Sequence, residues 1–181
     1  MEASLQTLPL DWTPGNGGLL ALVSPDLVST ITAQELPVHA RAVQTLHLTL
    51  LRSASMLPLV PVLGPVWGQV RASLPPVPAP RLAPRVHVAI RPPHPTRDPA
   101  DMTRARHTWF VVPVDQEPLR AALSEIVCAL DLASRARGGP AFRHPEQRRL
   151  FHVSLFNDRG GDGRRSIGDI HLGDCAPARA G

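Results

Sequence analysis

The chain reads as an α+β protein of two similar lobes, each mainly antiparallel sheet with helices on its outer face, related by a pseudo-two-fold around a central cleft. Three observations predict this class. Short segments alternate apolar and polar residues, the pattern of strands covered on one face. A strand–helix–strand order over 19–53 returns over 107–157. Each of these halves also contains a strand with a histidine followed two residues later by a hydroxyl, LHLTL at 46–50 and FHVSL at 151–155. At 181 residues and 43% hydrophobic, the chain can bury one sizeable core or two small fused lobes. Its 21 prolines and 13 glycines imply many loops and few long helices.

The elements follow in order. Residues 1–18 are polar and turn-rich and read as a loose leader; 19–172 read as a single bilobal domain, and 173–181 as a flexible tail. LLALVS (19–24) is a buried strand. Ser24 then caps a short helix with Pro25 at its first position. TLHLTLLRS (45–53) alternates as a strand should, and 57–74 is helical in period but punctuated by proline. PPVPAPRLAP (75–84) is a stiff connector, the strongest internal break. RVHVAIR places Val86, Val88 and Ile90 on one strand face, 91–106 is an arginine-bearing loop, and HTWFVVPV is a further strand. QEPLRAALSEIVCALDLASRA is the best helix, with Leu119, Leu123, Ile126, Val127 and Leu130 at helical spacing. The FHVSL strand, the loop NDRGGDGRR and a last strand, SIGDIHL, complete the order.

Composition narrows the setting. The formal charge is +4 and every basic residue except histidine is arginine. A planar guanidinium suits phosphate, but an arginine bias is also what GC-rich coding produces, so charge alone assigns no partner. Cys128 and Cys175 make no disulfide framework and read as free thiols of a reducing compartment. MEASLQTLPLDW has neither the basic nor the apolar region of a signal peptide. MLPLVPVLGPVWG is broken by three prolines and is too short to span a bilayer. A cytoplasmic monomer with no membrane association and no obligate protein partner is the expectation.

The chemistry sits in the matched strands. In LHLTL, His47 and Thr49 share one strand face; in FHVSL, His152 and Ser154 do, with Phe151, Val153 and Leu155 on the other. The bare tripeptide is uninformative, since eight histidines among 181 residues give about one chance His-x-Ser/Thr match. Three occur, and the third, His94-Pro95-Thr96, has a central proline that disfavours a strand. The alternating context, found twice in equivalent places, carries the signal.

Paired His-x-Thr/Ser strands in a two-lobed α+β chain resemble the 2H phosphoesterase superfamily, which includes 2'-5' RNA ligase-like proteins, 2',3'-cyclic phosphodiesterases and 3'-end-trimming phosphodiesterases of small RNA. The resemblance covers residues 19–172, and its specific motifs are HLTL and HVSL. It implies a metal-independent phosphodiesterase acting on RNA or nucleotides through the ribose 2'-oxygen, by cyclic-phosphate hydrolysis or formation or by 2'-5' ligation. His47 and His152 would be the catalytic pair, Thr49 and Ser154 the phosphate ligands, and no cofactor would be needed. The chain has no tyrosine, so any base stacking falls to Phe or Trp.

Elementary chemistry agrees with that assignment. Moving a phosphodiester through a 2'-hydroxyl needs one group to take a proton and another to give one, and histidine does either near neutral pH. Hydroxyl donors beside them can hold the charge on the nonbridging oxygens. The alternative function is a non-catalytic RNA- or nucleotide-binding module of the same fold. Zinc is the other alternative, through His39, His87, His107 and His171, although no ligand spacing marks a site. His171 reads as a core or edge histidine, Trp109 and Phe110 as core, Arg41 and Arg52 as solvent charges, and Arg164 and Arg165 as loop residues within reach of RNA phosphates.

Overall fold

Apolar alternation makes the strands of this protein, and strand register then decides which faces are covered. The computed structural model describes residues 6–15, 17–29, 40–93, 103–144, 150–160, 166–167, 170–171, 173 and 175. It is α+β with antiparallel pairing in every register described. The chain divides into two units, one of Met1–Leu22, Leu48–Pro80 and Asp115–Gln147, the other of Val23–His47, Arg81–Val114 and Arg148–Gly181. The stretches that echo each other in sequence, 19–53 and 107–157, therefore do not correspond to the units one for one.

The first unit begins where a loose leader was expected. Strand β1, Thr7–Leu8, and β2, Leu10–Asp11, lie in that stretch. Strand β2 pairs with β3, Leu19–Leu22. Leu8 and Trp12 are the physical reason: both are buried, Trp12 with its ring edge-on to Trp67 at 4.9 Å, and apolar area of that size anchors a terminus. In β3, Leu19 and Ala21 are buried while Leu20 and Leu22 are half-buried, so the strand alternates instead of being covered on both faces. After β3 come β4, Arg41–Ala42, in the second unit, and β5, His47–Leu51, which enters the first unit after His47. Gly18 is required beside β5, because a Cβ there would collide with the Leu51 carbonyl.

Residues 53–73 form a helical run of short pieces, α1 (Ser53–Met56), α2 (Val60–Leu63) and α3 (Trp67–Ser73), joined by 3-10 turns at Leu57–Leu59 and Gly64–Val66. Pro58, Pro61 and Pro65 stand at the first or second position of their pieces, where a missing N–H costs little. Met56, Leu59, Leu63, Trp67 and Val70 still make one buried stripe at helical spacing. The expected connector holds strand β6, Val77–Pro78, which pairs with β1 and buries Val77 completely. The boundary between units, after Pro80, does fall inside this proline-rich stretch.

The long helix α4 spans Glu117–Arg135. Its buried stripe is Leu119, Ala122, Ile126, Leu130 and Ser134, with Leu123 and Val127 half-buried beside it. The helix ends in a Schellman-type turn: Gly139 N–H donates to Ser134 O, Gly138 N–H to Arg135 O, and Gly138 has φ +71°. Asp131 accepts from Phe142 N–H at 2.7 Å and from Arg135 Nε at 3.0 Å. These two donors, the backbone one foremost, hold its carboxyl below the usual carboxylate range.

The second unit is built on strands β7 (His87–Arg91), β8 (Arg106–Val111) and β9 (Val153–Asn157), with β8 between β7 and β9. Strand β4 also pairs with β9. The expected covered face of β7 is reversed. His87 and Ala89 are buried and Ile90 is 52% exposed, because the register sets His87 opposite Phe110 and Ile90 opposite the half-exposed His107. Val86, just before the strand, is buried as expected. Ala89, Phe110, Ile167 and Ile170 form one core cluster, with Val112 and Cys175 packed against it. The described residues of the expected last strand, Ser166, Ile167, Ile170 and His171, lie outside any strand. Ile170 O nonetheless accepts from Leu150 N–H, and Ile167 N–H donates to Thr108 Oγ1 at 2.8 Å. Cys175, assigned to the flexible tail, is half-buried against this cluster, and neither Cys128 nor Cys175 is in a disulfide. The expected short helix opens as a 3-10 turn, Pro25–Leu27, with Ser24 as its cap; residues 30–39 lie outside the described residues. Among the described residues, no helix is long and apolar enough to cross a membrane.

Candidate active site

Strand β5 behaves as its sequence predicts. Leu48 and Leu50 are fully buried, while His47 and Thr49 are half-exposed on the other face. The His47 ring is held by Nδ1, 2.9 Å from the carbonyl oxygen of Thr45. A carbonyl only accepts, so this bond keeps the proton on Nδ1 and makes Nε2 the basic nitrogen of the neutral ring. It is the one hydrogen bond the His47 ring makes among the described residues.

His152 is held in the same way. Its Nδ1 lies 3.1 Å from the carbonyl oxygen of Leu150, again two residues earlier in the chain. The same tautomer follows, with Nε2 as the basic nitrogen of the neutral ring. Two histidines 105 residues apart thus share sequence context, backbone anchor and tautomer. Fixing the ring through one nitrogen prepares the other for proton transfer.

Pairing in the second unit brings the segment that leads to His47 beside the strand that follows His152. Arg41 faces Asn157 and Ala42 faces Phe156, and Val43 N–H donates to Leu155 O at 2.8 Å. An antiparallel course directs residues 41–47 toward the beginning of β9, where His152 stands. Val23 N–H donates to Leu46 O and ties down the residue before His47. His47, His152 and Ser154 belong to the second unit, and Thr49, two residues beyond His47 on β5, to the first.

The second motif departs from its expected setting. His152 is 8% exposed and Ser154 7%, so their face is covered and not an open polar one. Phe110 is one of the residues beside it. It pairs with Ser154 in register, and its ring meets the His152 ring edge-on at 5.6 Å and 72°. On the other partner strand, His87 stacks on Phe110 at 5.6 Å and 27°, and its buried Nδ1 makes no hydrogen bond. A register shift between Trp109 and Phe110 pairs them with Phe156 and Ser154, leaving Leu155 as the extra residue of a β-bulge. The bulge at Leu155 breaks the strict alternation expected over 151–155. Ser154, though buried, makes no side-chain hydrogen bond among the described residues.

No family model, curated protein or solved structure matches the chain. The residues therefore carry the functional argument by themselves.

The other candidates fall as follows. Trp109 and Phe110 are core, as expected. Arg41 is exposed, Arg52 half-buried and His171 exposed. His39, His94, Arg164 and Arg165 lie outside the described residues. Of the alternative zinc ligands, His87 is buried against Phe110, while His107 donates Nδ1–H to Asp158 Oδ2 at 2.8 Å. No group of three or more His, Cys, Asp or Glu able to hold a metal is found among the described residues.

Two features were not legible as motifs. Phe110, whose ring meets that of His152 edge-on, was expected only as core. Asp158, whose side chain is 7% exposed, grips His107 across 51 residues of sequence and also accepts from Arg159 Nη1 at 3.3 Å. No local pattern marks either pair; only the β8–β9 register does.

Proposed function

We propose that this protein is a 2H-type, metal-independent phosphodiesterase acting on RNA or nucleotide phosphodiesters through the ribose 2'-oxygen. His47 and His152 are its proton-transfer pair, and Thr49 and Ser154 donate to the nonbridging oxygens. The observation that carries this is the matched anchoring of the two imidazoles, each through Nδ1 to the carbonyl oxygen two residues back. Two rings prepared alike, each followed by a hydroxyl on its own strand, are what an acid–base pair acting on one phosphate requires. In hydrolysis of a 2',3'-cyclic phosphate, one neutral ring takes a proton from the attacking water on Nε2, and the other, entering as imidazolium, gives its Nε2 proton to the departing ribose oxygen. Cyclisation uses the same two transfers in reverse, and 2'-5' ligation is an attack on the cyclic ester by a ribose hydroxyl in place of water.

One observation favours a second reading, a binding module without turnover: the low exposure of His152 and Ser154. A single experiment separates the two. Labelled oligoribonucleotides ending in 2',3'-cyclic phosphate, 3'-hydroxyl or 3'-phosphate are incubated with the protein in EDTA, and the product ends are identified. Turnover of at least one substrate is expected, lost when the ribose 2'-hydroxyl at the reacting position is replaced by hydrogen. Binding without any product would select the module. Activity abolished by EDTA and restored by zinc or manganese would move the chemistry to a metal.

A further inference from the structure

Three rings stand side by side in the second unit. His87 on β7 pairs in register with Phe110 on β8, and Phe110 pairs with Ser154 on β9, two residues after His152. The ring contacts follow that register, His87 to Phe110 at 5.6 Å and 27°, Phe110 to His152 at 5.6 Å and 72°. Stacked and edge-on contacts at this separation are those that aromatic rings favour. Phe110 is fully buried and each histidine is 8% exposed. His87 is the odd member of the row. Its Nδ1 is buried without a hydrogen-bond partner, which costs stability where an apolar side chain would not. Hydrogen bonding through that nitrogen does not account for an imidazole at this position. The flat face turned to Phe110 does.

We propose that His87 is a positioning residue for His152, acting through Phe110; its effect on catalysis rests on the phosphodiesterase reading above, and its effect on the ring does not. The Nδ1 bond to the Leu150 carbonyl fixes one atom of the His152 imidazole. The plane of a ring held at one atom is set by what packs on it, and Phe110 packs on this one edge-on. Phe110 can turn about its own side-chain bonds, and the His87 face stacked on it narrows that turn. A turned His152 ring loses its bond to Leu150 and aims Nε2 off the line of proton transfer, where small misplacements are costly. His47 has no such support. It is half-exposed, and its ring meets no other ring among the described residues.

The test uses the full chain with 15N-labelled histidine, and a dinucleotide 2',3'-cyclic phosphate as substrate. Ring 15N shifts are assigned with His47→Ala and His152→Ala, and in the wild type both rings should show the Nδ1–H form. His87→Leu removes the flat face together with the unpaired nitrogen. It should move the His152 shifts toward the average of the two tautomers and leave those of His47 in place. His87→Phe keeps a flat face without the nitrogen and should restore the His152 shifts. In turnover, His87→Leu should lower kcat about tenfold with KM within about twofold, while His87→Phe keeps kcat. Both variants lose the same nitrogen, so a purely structural role predicts no such difference between them. If His87→Phe melts below the assay temperature, Phe110→Leu takes its place, and the His152 shifts must move in it as they do in His87→Leu. His87→Leu combined with Phe110→Leu should be no slower than Phe110→Leu alone, because the first acts through the second. Unchanged His152 shifts in His87→Leu, or losses that multiply in the double variant, overturn the proposal. If the shifts move as expected and the wild type turns over no RNA, the positioning stands and the phosphodiesterase falls. Turnover by the wild type, with His152 shifts indifferent to the side chain at position 87, gives the reverse.

Discussion

The two histidine segments share a pattern and differ in their surroundings. Around His47, alternation translates directly into burial, with leucines in and the histidine and threonine half out. Around His152, all five residues of FHVSL are buried, with the Phe110 ring against His152 and a bulge at Leu155. The Nδ1 anchors are nonetheless the same. Context thus altered exposure without altering tautomer, so the anchor is the better guide to chemistry and exposure the better guide to stability.

The largest expected effects test the shared part. His47→Ala and His152→Ala should each lower kcat/KM on a cyclic-phosphate-ended RNA by about 10²–10⁴-fold, and the double variant by far less than the product, since the pair acts as a unit. The pH profile of the wild type should be bell-shaped, its limbs belonging to the pair. A large loss from one histidine only would break the comparison. Thr49→Ala and Ser154→Ala should cost about 10–10³-fold in the same assay. Next come the differences. His152→Ala should lower the melting temperature, by an amount corresponding to about 1–2 kcal/mol, while His47→Ala leaves it nearly unchanged. Sequence alone placed all four side chains away from the core and expected no such asymmetry; the Phe110 contact is what overturns that for His152. Phe110→Leu should destabilise by about 1–2 kcal/mol and lower kcat roughly tenfold with little change in KM, because it loosens one ring of the pair. The smallest effect is a reference far from both motifs. Asp131→Asn should lower stability slightly at neutral pH and leave kcat/KM unchanged. The lowered pKa of Asp131 contributes stability above the ordinary carboxylate range, and that contribution vanishes as pH falls through the folded value, so the melting curves of variant and wild type should converge in acid.

Much of the local structure was legible because it is dictated by near neighbours. The strand around His47, the long helix and the cap at Ser24 depend on residues within a few positions. Proline's effect on 57–74 is equally local: each ring starts a new turn while the apolar spacing continues. Other expectations failed where a distant partner decides. Residues 7–11 looked like a leader because two-residue strands have no period to detect, and only pairing with β6 and β3 orders them. The apolar face of β7 was assigned from Val88 and Ile90, but Phe110 opposite His87 turned it over.

By itself, then, the chain's sequence determined an α+β class with antiparallel strands and singled out His47, Thr49, His152 and Ser154, because strand alternation and a repeated tripeptide are properties of adjacent residues. The tertiary structure alone decided the contact of Phe110 with His152, the bulge at Leu155, the grip of Asp158 on His107 and the stacking of His87 on Phe110. Each of these is set by strand register, and a shift of one residue would turn every side chain to the opposite face. Register is a sum over many weak cross-strand contacts between distant parts of the chain, so no short stretch contains it.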